Sequence, residues 1–324
     1  MPLLPKRLRE AGAIILGKAN MSQWANYRAR DYSMNGWSSH GGQTVAAYHA
    51  KQSASGSSSG SGTDGSIVCP AQRSGIVGLK PAVGLTSRGL VIHQSREHQD
   101  TVGPMARTVK DAAYLLQAIA GEDPHDKYTA EIPQVPDYVA ACRDTLAGAR
   151  IGVPWKAIQE GLDRYPHHLA AEPIMMADFH ANLASYLSQL ASNPRSVHNL
   201  ADVREQTQKH PLENYPQRDT GIWDDVLFEQ KWDNTDPQFQ PAMAPMWAAV
   251  VGAPAITVPM GHHAETEPVH EDGGLVETGP GVPFGISFLG RKWSEEALIG
   301  LAFGFEERTK VRGQAGEEGD TADC

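Results

Sequence analysis

The reading of this chain turns on residues 56–71: Gly56-Ser-Ser-Ser-Gly60-Ser-Gly-Thr-Asp64-Gly-Ser66-Ile-Val-Cys-Pro70-Ala71. The fourteen positions from 53 to 66 hold seven Ser and four Gly. By composition alone this is a flexible tether, because Gly and Ser neither stiffen a chain nor give it area to bury. A chemical reading stands beside it. A serine hydroxyl is a weak nucleophile near neutral pH and needs a base within hydrogen-bond reach. A developing oxyanion needs N–H donors fixed in a tight turn with little side-chain bulk, a backbone that Gly permits. Closely spaced serines can relay the proton. The tract is a tether or an active-site loop, and its neighbours have to decide.

Those neighbours are patterned. Upstream stands Asn35-Gly-Trp-Ser38-Ser-His-Gly41-Gly42-Gln43. Downstream come Gly75-Ile-Val-Gly78-Leu-Lys80-Pro81 and Asp100-Thr-Val-Gly103-Pro104-Met-Ala-Arg107. Further on are Gly252-Ala-Pro-Ala-Ile-Thr-Val-Pro259 and Val282-Pro-Phe-Gly-Ile286. In this order the motifs resemble the amidase signature family, over about Leu8–Asp111 and again over about Ala248–Arg308. The resemblance implies an α/β fold, a mixed β-sheet sandwiched between α-helices. It implies hydrolysis of a carboxamide, through an acyl-enzyme, by a Ser, cis-Ser and Lys set. Carried over residue by residue, Ser66 is the nucleophile and Ser57 the cis-Ser that shuttles the proton. The backbone N–H groups of Thr63, Asp64 and Gly65 form the oxyanion hole. A small-molecule amide is the implied partner, and no metal or organic cofactor is implied.

The sequence departs from the family's pattern. The family places a helix and a strand between its two serines, whereas Ser57 and Ser66 are nine residues apart here. The family's base is a Lys followed by Asp, well before the cis-Ser. The lysines that precede Ser57 are Lys6, Lys18 and Lys51, and none is followed by Asp. Lys18 and Lys80 match family positions that are not the base. The chain therefore reads as truncated at its N-terminus and internally deleted, with the catalytic Lys missing. Residues 154–172 also read as shortened. A non-catalytic remnant, at most a binding module, is the alternative that these gaps raise.

Local patterns place the motifs on elements. Residues 6–11 read as the end of a helix closed by Gly12, and Ala13–Leu16 as a short buried strand. Residues 76–79 and 149–153 read as strands. Thr108 and Asp111 have the spacing of a helix cap, followed by Val109, Ala112, Ala113, Leu116 and Ile119 at helical period and Gly121 as the stop. Helices are expected near 173–191, 200–209 and 222–232. Strands are expected at 253–259 and 284–289, separated by a loop over 261–282. Ser294 is expected to cap a last helix running to about Arg308. Residues 1–312 read as one domain and 313–324 as an acidic tail carrying Glu317, Glu318, Asp320 and Asp323.

Bulk properties exclude several classes. A net charge of -10 without a basic run argues against a nucleic-acid partner. No apolar run has the length of a membrane span. Three dispersed cysteines, Cys69, Cys142 and Cys324, make neither a disulfide framework nor a metal knuckle, and fit a cytoplasmic setting. His262-His263 and His167-His168 lack a second ligand pair at metal spacing and read as solvated. Cys69 reads as a small buried residue. Asp100 and Arg107 read as a structural pair, and Trp223, Trp232 and Trp247 as core or as the lining of a substrate entrance.

Overall fold

The computed structural model describes residues 3–30, 35–56, 65–92, 100–153, 155, 159, 172–238 and 252–314. Helix α1 (Leu3–Glu10) opens the chain and lays Leu4 and Leu8 against the main core. Its Arg7 guanidinium reaches far along the chain, donating to the carbonyls of Ile119 at 2.9 Å, Gly121 at 3.1 Å and Glu122 at 2.8 Å. The apolar run that follows is not a strand. Ile14 is 86% exposed and Leu16 96% exposed, because no strand lies beside them among the described residues to complete a ladder.

Strands β1 (Trp37–Ser38) and β2 (Gly42–Gln43) form a small hairpin. Helix α2 (Gly65–Arg73) leads through a tight turn into β3 (Val77–Lys80), and β4 (Met105–Ala106) lies beside it. Helix α3 (Val109–Ile119) is capped as its sequence requires: the Thr108 hydroxyl accepts from the Asp111 N–H at 3.1 Å and donates to the Asp111 carboxylate at 2.8 Å. Helices α4 (Glu172–Ser188) and α5 (Leu200–Lys209) follow. Helix α6 (Gly221–Asp224) is shorter than the pattern predicts and continues as a π-helical turn over Asp225–Gln230. These three helices enclose a second core around Phe179, Leu183, Leu200 and Trp223. Trp223 is wholly buried there, its indole N–H donating to the Tyr27 carbonyl at 2.7 Å, so it serves packing. The segment 149–153 forms no strand, and Ile151 and Val153 are exposed.

Strand β5 (Ala255–His262) is followed by the hairpin of β6 (His270–Asp272) and β7 (Leu275–Thr278), so the expected loop carries structure of its own. Then come β8 (Pro283–Leu289), α7 (Glu295–Thr309) and α8 (Val311–Gln314). Ser294 does not cap α7 through its side chain. Its backbone (φ -110°, ψ 22°) is not extended, and its hydroxyl donates to the Arg291 carbonyl instead.

The central sheet has the order β4-β3-β5-β8, with each pair antiparallel. A parallel bridge joins Gln52 to Val276. One face of the sheet packs on α3 and α7 through Val77, Leu79, Ile256, Val258, Phe288, Leu116, Leu298 and Ile299. The other face carries α2. This is the α/β layering that the motifs imply.

Candidate active site

The site begins at Asn20. Its side-chain N–H groups donate to the carbonyls of Gly36 at 3.1 Å and Gly42 at 3.2 Å and to the Thr44 hydroxyl at 2.9 Å. The Ser38 hydroxyl donates back to it at 2.6 Å. One amide side chain thus fixes the β1–β2 hairpin. Two residues on, the fully buried Ser22 hydroxyl accepts from the Gly36 N–H at 2.7 Å and donates to the Gly56 carbonyl at 3.4 Å. A single hydroxyl therefore ties the Asn35–Gln43 motif to the start of the serine tract. Residues 20–50, rich in Asn, Ser and Gly, gave no periodic signal for these roles. The burial of Ser22 is a tertiary fact.

Gly56 has φ +63°, a conformation that favours glycine. A side chain there would also be crowded. A Cβ placed there would stand 3.2 Å from Pro70 Cδ, 3.7 Å from Ser66 Cα and 3.8 Å from Cys69 Cβ. Gly56 and the first turns of α2 are therefore neighbours. Ser57, Thr63 and Asp64 lie outside the described residues. Gly65 is the first residue of α2 and Ser66 the second, half-buried.

The sheet holds this helix at a set height. Ile67 and Ala71 are fully buried on it. A Cβ at Gly78 would stand 2.6 Å from Ala71 Cβ and 2.8 Å from the Ile67 carbonyl oxygen, so only glycine lets α2 come this close. At the far end the Gln72 amide donates to the Ser287 hydroxyl at 2.8 Å, and Arg73 bonds the Glu277 carboxylate. The first-turn N–H groups of a helix have no intrahelical acceptors and carry partial positive charge, which favours an anion at the Ser66 end. Pro70, four residues after Ser66, has no N–H to give its carbonyl.

The remaining candidates sort by position. Cys69 is exposed, which corrects its expected burial. Cys142 is partly buried, and burial pushes its thiol up to about 11, too high for a thiolate near neutral pH. The His263 Nδ1 lies 3.8 Å from the Glu267 carboxylate and its ring meets Phe284 edge-on. Among the described residues no group of three or more His, Cys, Asp or Glu could hold a metal. His167, His168 and Trp247 lie outside the described residues. The buried Asp100 offers its carbonyl to Arg88 at 3.3 Å, while Arg107 is exposed and its carbonyl accepts from Arg312. Of the lysines, Lys18 and Lys51 are exposed and Lys6 pairs with Glu10. Lys80 is buried, and its Nζ donates to the Ala253 carbonyl at 2.9 Å. A cavity of about 790 Å³ opens between Arg88, Asp126 and Tyr128 and the Asn182–Tyr186 turns of α4, and among the described residues neither Gly56 nor Ser66 lines it.

A helix laid close on the small-residue face of a sheet, with Ser66 in its first turn and Gly56 packed beside it, places the chain among α/β proteins. The chain belongs to the amidase family, whose model, described as Amidase, matches residues 4–172. An amidase-family relative from Arthroderma benhamiae is 43% identical over 386 residues, covering 94% of this chain and 65% of the relative. One from Arabidopsis thaliana is 31% identical over 383 residues, covering 95% of this chain and 70% of the relative. The native peptide amidase of Stenotrophomonas maltophilia superposes with a TM-score of 0.75 at 31% identity, covering 95% of this chain and 76% of that one. The chain thus spans 65% of the length of the Arthroderma relative. No helix among the described residues is long and apolar enough to cross a membrane.

Proposed function

We propose that this chain hydrolyses a carboxamide to a carboxylic acid and ammonia or an amine through an acyl-enzyme on Ser66. The observation that carries this reading is the approach of Gly56 to Ser66 at the positive end of α2. In this reading Ser57 relays the proton, and the N–H groups of Thr63, Asp64 and Gly65 meet the oxyanion, with the helix end adding to their field. The scheme calls on no metal or organic cofactor. The structural neighbour named a peptide amidase supports a small carboxamide, peptide amides included, as the substrate class. Dispersed cysteines support a reducing, cytoplasmic setting.

The 386-residue span of the Arthroderma alignment exceeds the 324 residues of the chain, which supports the reading that internal segments are absent here. The nine-residue spacing of Ser57 and Ser66 marks one such place. We take the whole as one amidase domain with an acidic tail.

A fluorophosphonate probe tests the assignment. Mass spectrometry should place the label on Ser66, and Ser66→Ala should lower both labelling and amide turnover by at least about 10³-fold. A cooperatively folded chain that the probe leaves unlabelled would sink the hydrolase reading and leave a binding module.

A further inference from the structure

Glutamine is by habit a surface residue, yet Gln52 is wholly buried. Each of its polar atoms is taken. The backbone N–H donates to the His49 carbonyl at 3.0 Å, and the backbone carbonyl accepts from the Ala46 N–H at 3.0 Å. In the side chain, Oε1 accepts from the Tyr48 N–H at 3.1 Å and Nε2 donates to the Arg73 carbonyl at 2.9 Å. Arg73 is the last residue of α2. The Tyr48 hydroxyl donates to the next carbonyl, that of Ser74, at 3.3 Å. The segment 48–52 is thus clamped over the end of α2 that lies farther from Ser66.

Strand β7 meets it there. The Val276 carbonyl accepts from the Ser53 N–H at 2.8 Å, and the Val276 N–H donates to the Lys51 carbonyl at 2.9 Å. The same strand is fixed to α2, because Arg73 bonds both the carbonyl and the carboxylate of Glu277. Gln52 therefore sits where the loop, the end of α2 and β7 come together.

From Gln52 the chain runs back along α2 toward Ser66. Gln52 bonds Arg73, whereas a Cβ on Gly56 would lie among Ser66, Cys69 and Pro70. The lengths agree. The chain from Gln52 to Gly56 can reach about 14 Å, and the helix from Ser66 to Arg73 rises roughly 10 Å. Ser53, Ala54 and Ser55 are buried along this strap. Its backbone is held against its preference: Lys51 has φ +58° and Ser55 φ +50°. Left-handed backbone is costly for an L residue and persists where the surroundings enforce it, a pattern that gathers at working sites. At the Gly56 end the bond from the Ser22 hydroxyl is long, 3.4 Å. The bond from Gln52 to Arg73 is the shorter tie. An apolar side chain could fill the same space, but an amide bonds Tyr48 and Arg73 at once and so also fixes direction.

We propose that Gln52 is a positioning residue for the Ser66 site: it sets the strap 52–56 lengthwise along α2 and thereby fixes where Gly56 stands against Ser66. This rests on the reading of Ser66 as nucleophile. Gln52 acts through Gly56, from the opposite end of α2.

The test follows fluorophosphonate labelling of Ser66 against probe concentration, in the full chain and in Gln52→Leu, Gln52→Glu and Leu116→Ala, with a thermal melt on each and rates taken per folded molecule. Gln52→Leu loses both side-chain bonds. Gln52→Glu keeps the acceptor for Tyr48 and loses the donor to Arg73. Both should lower the limiting labelling rate about 10- to 100-fold, since a misplacement of about 1 Å costs that much. The half-saturating probe concentration should move less than about threefold. Leu116→Ala, destabilised on the other face of the sheet, should keep the wild-type limiting rate. Folded Gln52 variants that label like wild type overturn the proposal and leave Ser66 intact as nucleophile. A change confined to the half-saturating concentration, or a loss that Leu116→Ala matches, overturns it as well. A folded wild type that never labels overturns both readings. If neither Gln52 variant folds, hydrogen exchange in the wild type decides. The Ser53 amide should then exchange within about tenfold of the slowest amides of β5, and faster exchange overturns the role of Gln52, because a loose strap fixes nothing.

Discussion

The two faces of the central sheet are built from the same strands and do opposite things. Toward α3 and α7 the paired row is Leu79, Ile256 and Phe288. One residue along, toward α2, the row is Gly78, Thr257 and Ser287. The first face fills volume. The second keeps side chains short so that a helix carrying Ser66 can lie low and be held by directed bonds such as Gln72 to Ser287. Stability and the placing of the site are thus assigned to opposite sides of one sheet, and substitutions on each side should fail differently.

The largest expected effect on stability is on the filled face. Leu116→Ala removes a wholly buried side chain and should cost about 2–5 kcal/mol in urea unfolding. Labelling of Ser66 per folded molecule should not change, and a loss there would show that the faces are not separable. Gly78→Ala should cost less, about 1–3 kcal/mol, yet depress labelling in the folded protein, because its methyl must push against Ala71 and the Ile67 carbonyl. If Gly78→Ala labels normally, the height of α2 does not matter to the site. Thr108→Ala removes the cap of α3 and should cost about 1 kcal/mol, again without touching labelling.

The smallest effect is a pH slope. The Glu306 carboxylate accepts from the Val109 N–H at 3.0 Å on the filled face, and burial holds its carboxyl above the ordinary glutamate range. The folded state therefore keeps this proton more tightly than the unfolded chain does. The stability it contributes is present below the unfolded value and is lost as pH rises through the raised one. Glu306→Gln still offers an oxygen to Val109 and should flatten that stretch of a urea-midpoint profile. An unchanged slope would assign the titration elsewhere.

What the sequence disclosed followed from how local each signal is. Strands β3, β5 and β8 were legible because apolar runs stand between prolines or turn residues, and α3 because Thr108 and Asp111 are three apart. Helix α2 was not, since Gly65 and Pro70 both argue against a helix. It exists because Ile67 and Ala71, one turn apart, land on Gly78. The same period turns Cys69 outward, which a residue-type preference for burial cannot know. Ala13–Leu16 and 149–153 have strand composition, but a strand needs a neighbouring edge, and composition does not supply one. The motif singled out Ser66, and the fold puts it in the first turn of α2. The Ser22 bridge was not legible, because it depends on which segments the fold stacks together.

Arg7 has a consequence for how the molecule is made. Helix α1 is eight residues long, too short to persist by itself in water. Its strongest anchors are the carbonyls of Ile119, Gly121 and Glu122, more than a hundred residues later in synthesis. Helix α1 is therefore made well before the segment that holds it. Its docking waits until the end of α3 has formed, and a single guanidinium then closes a loop of more than a hundred residues.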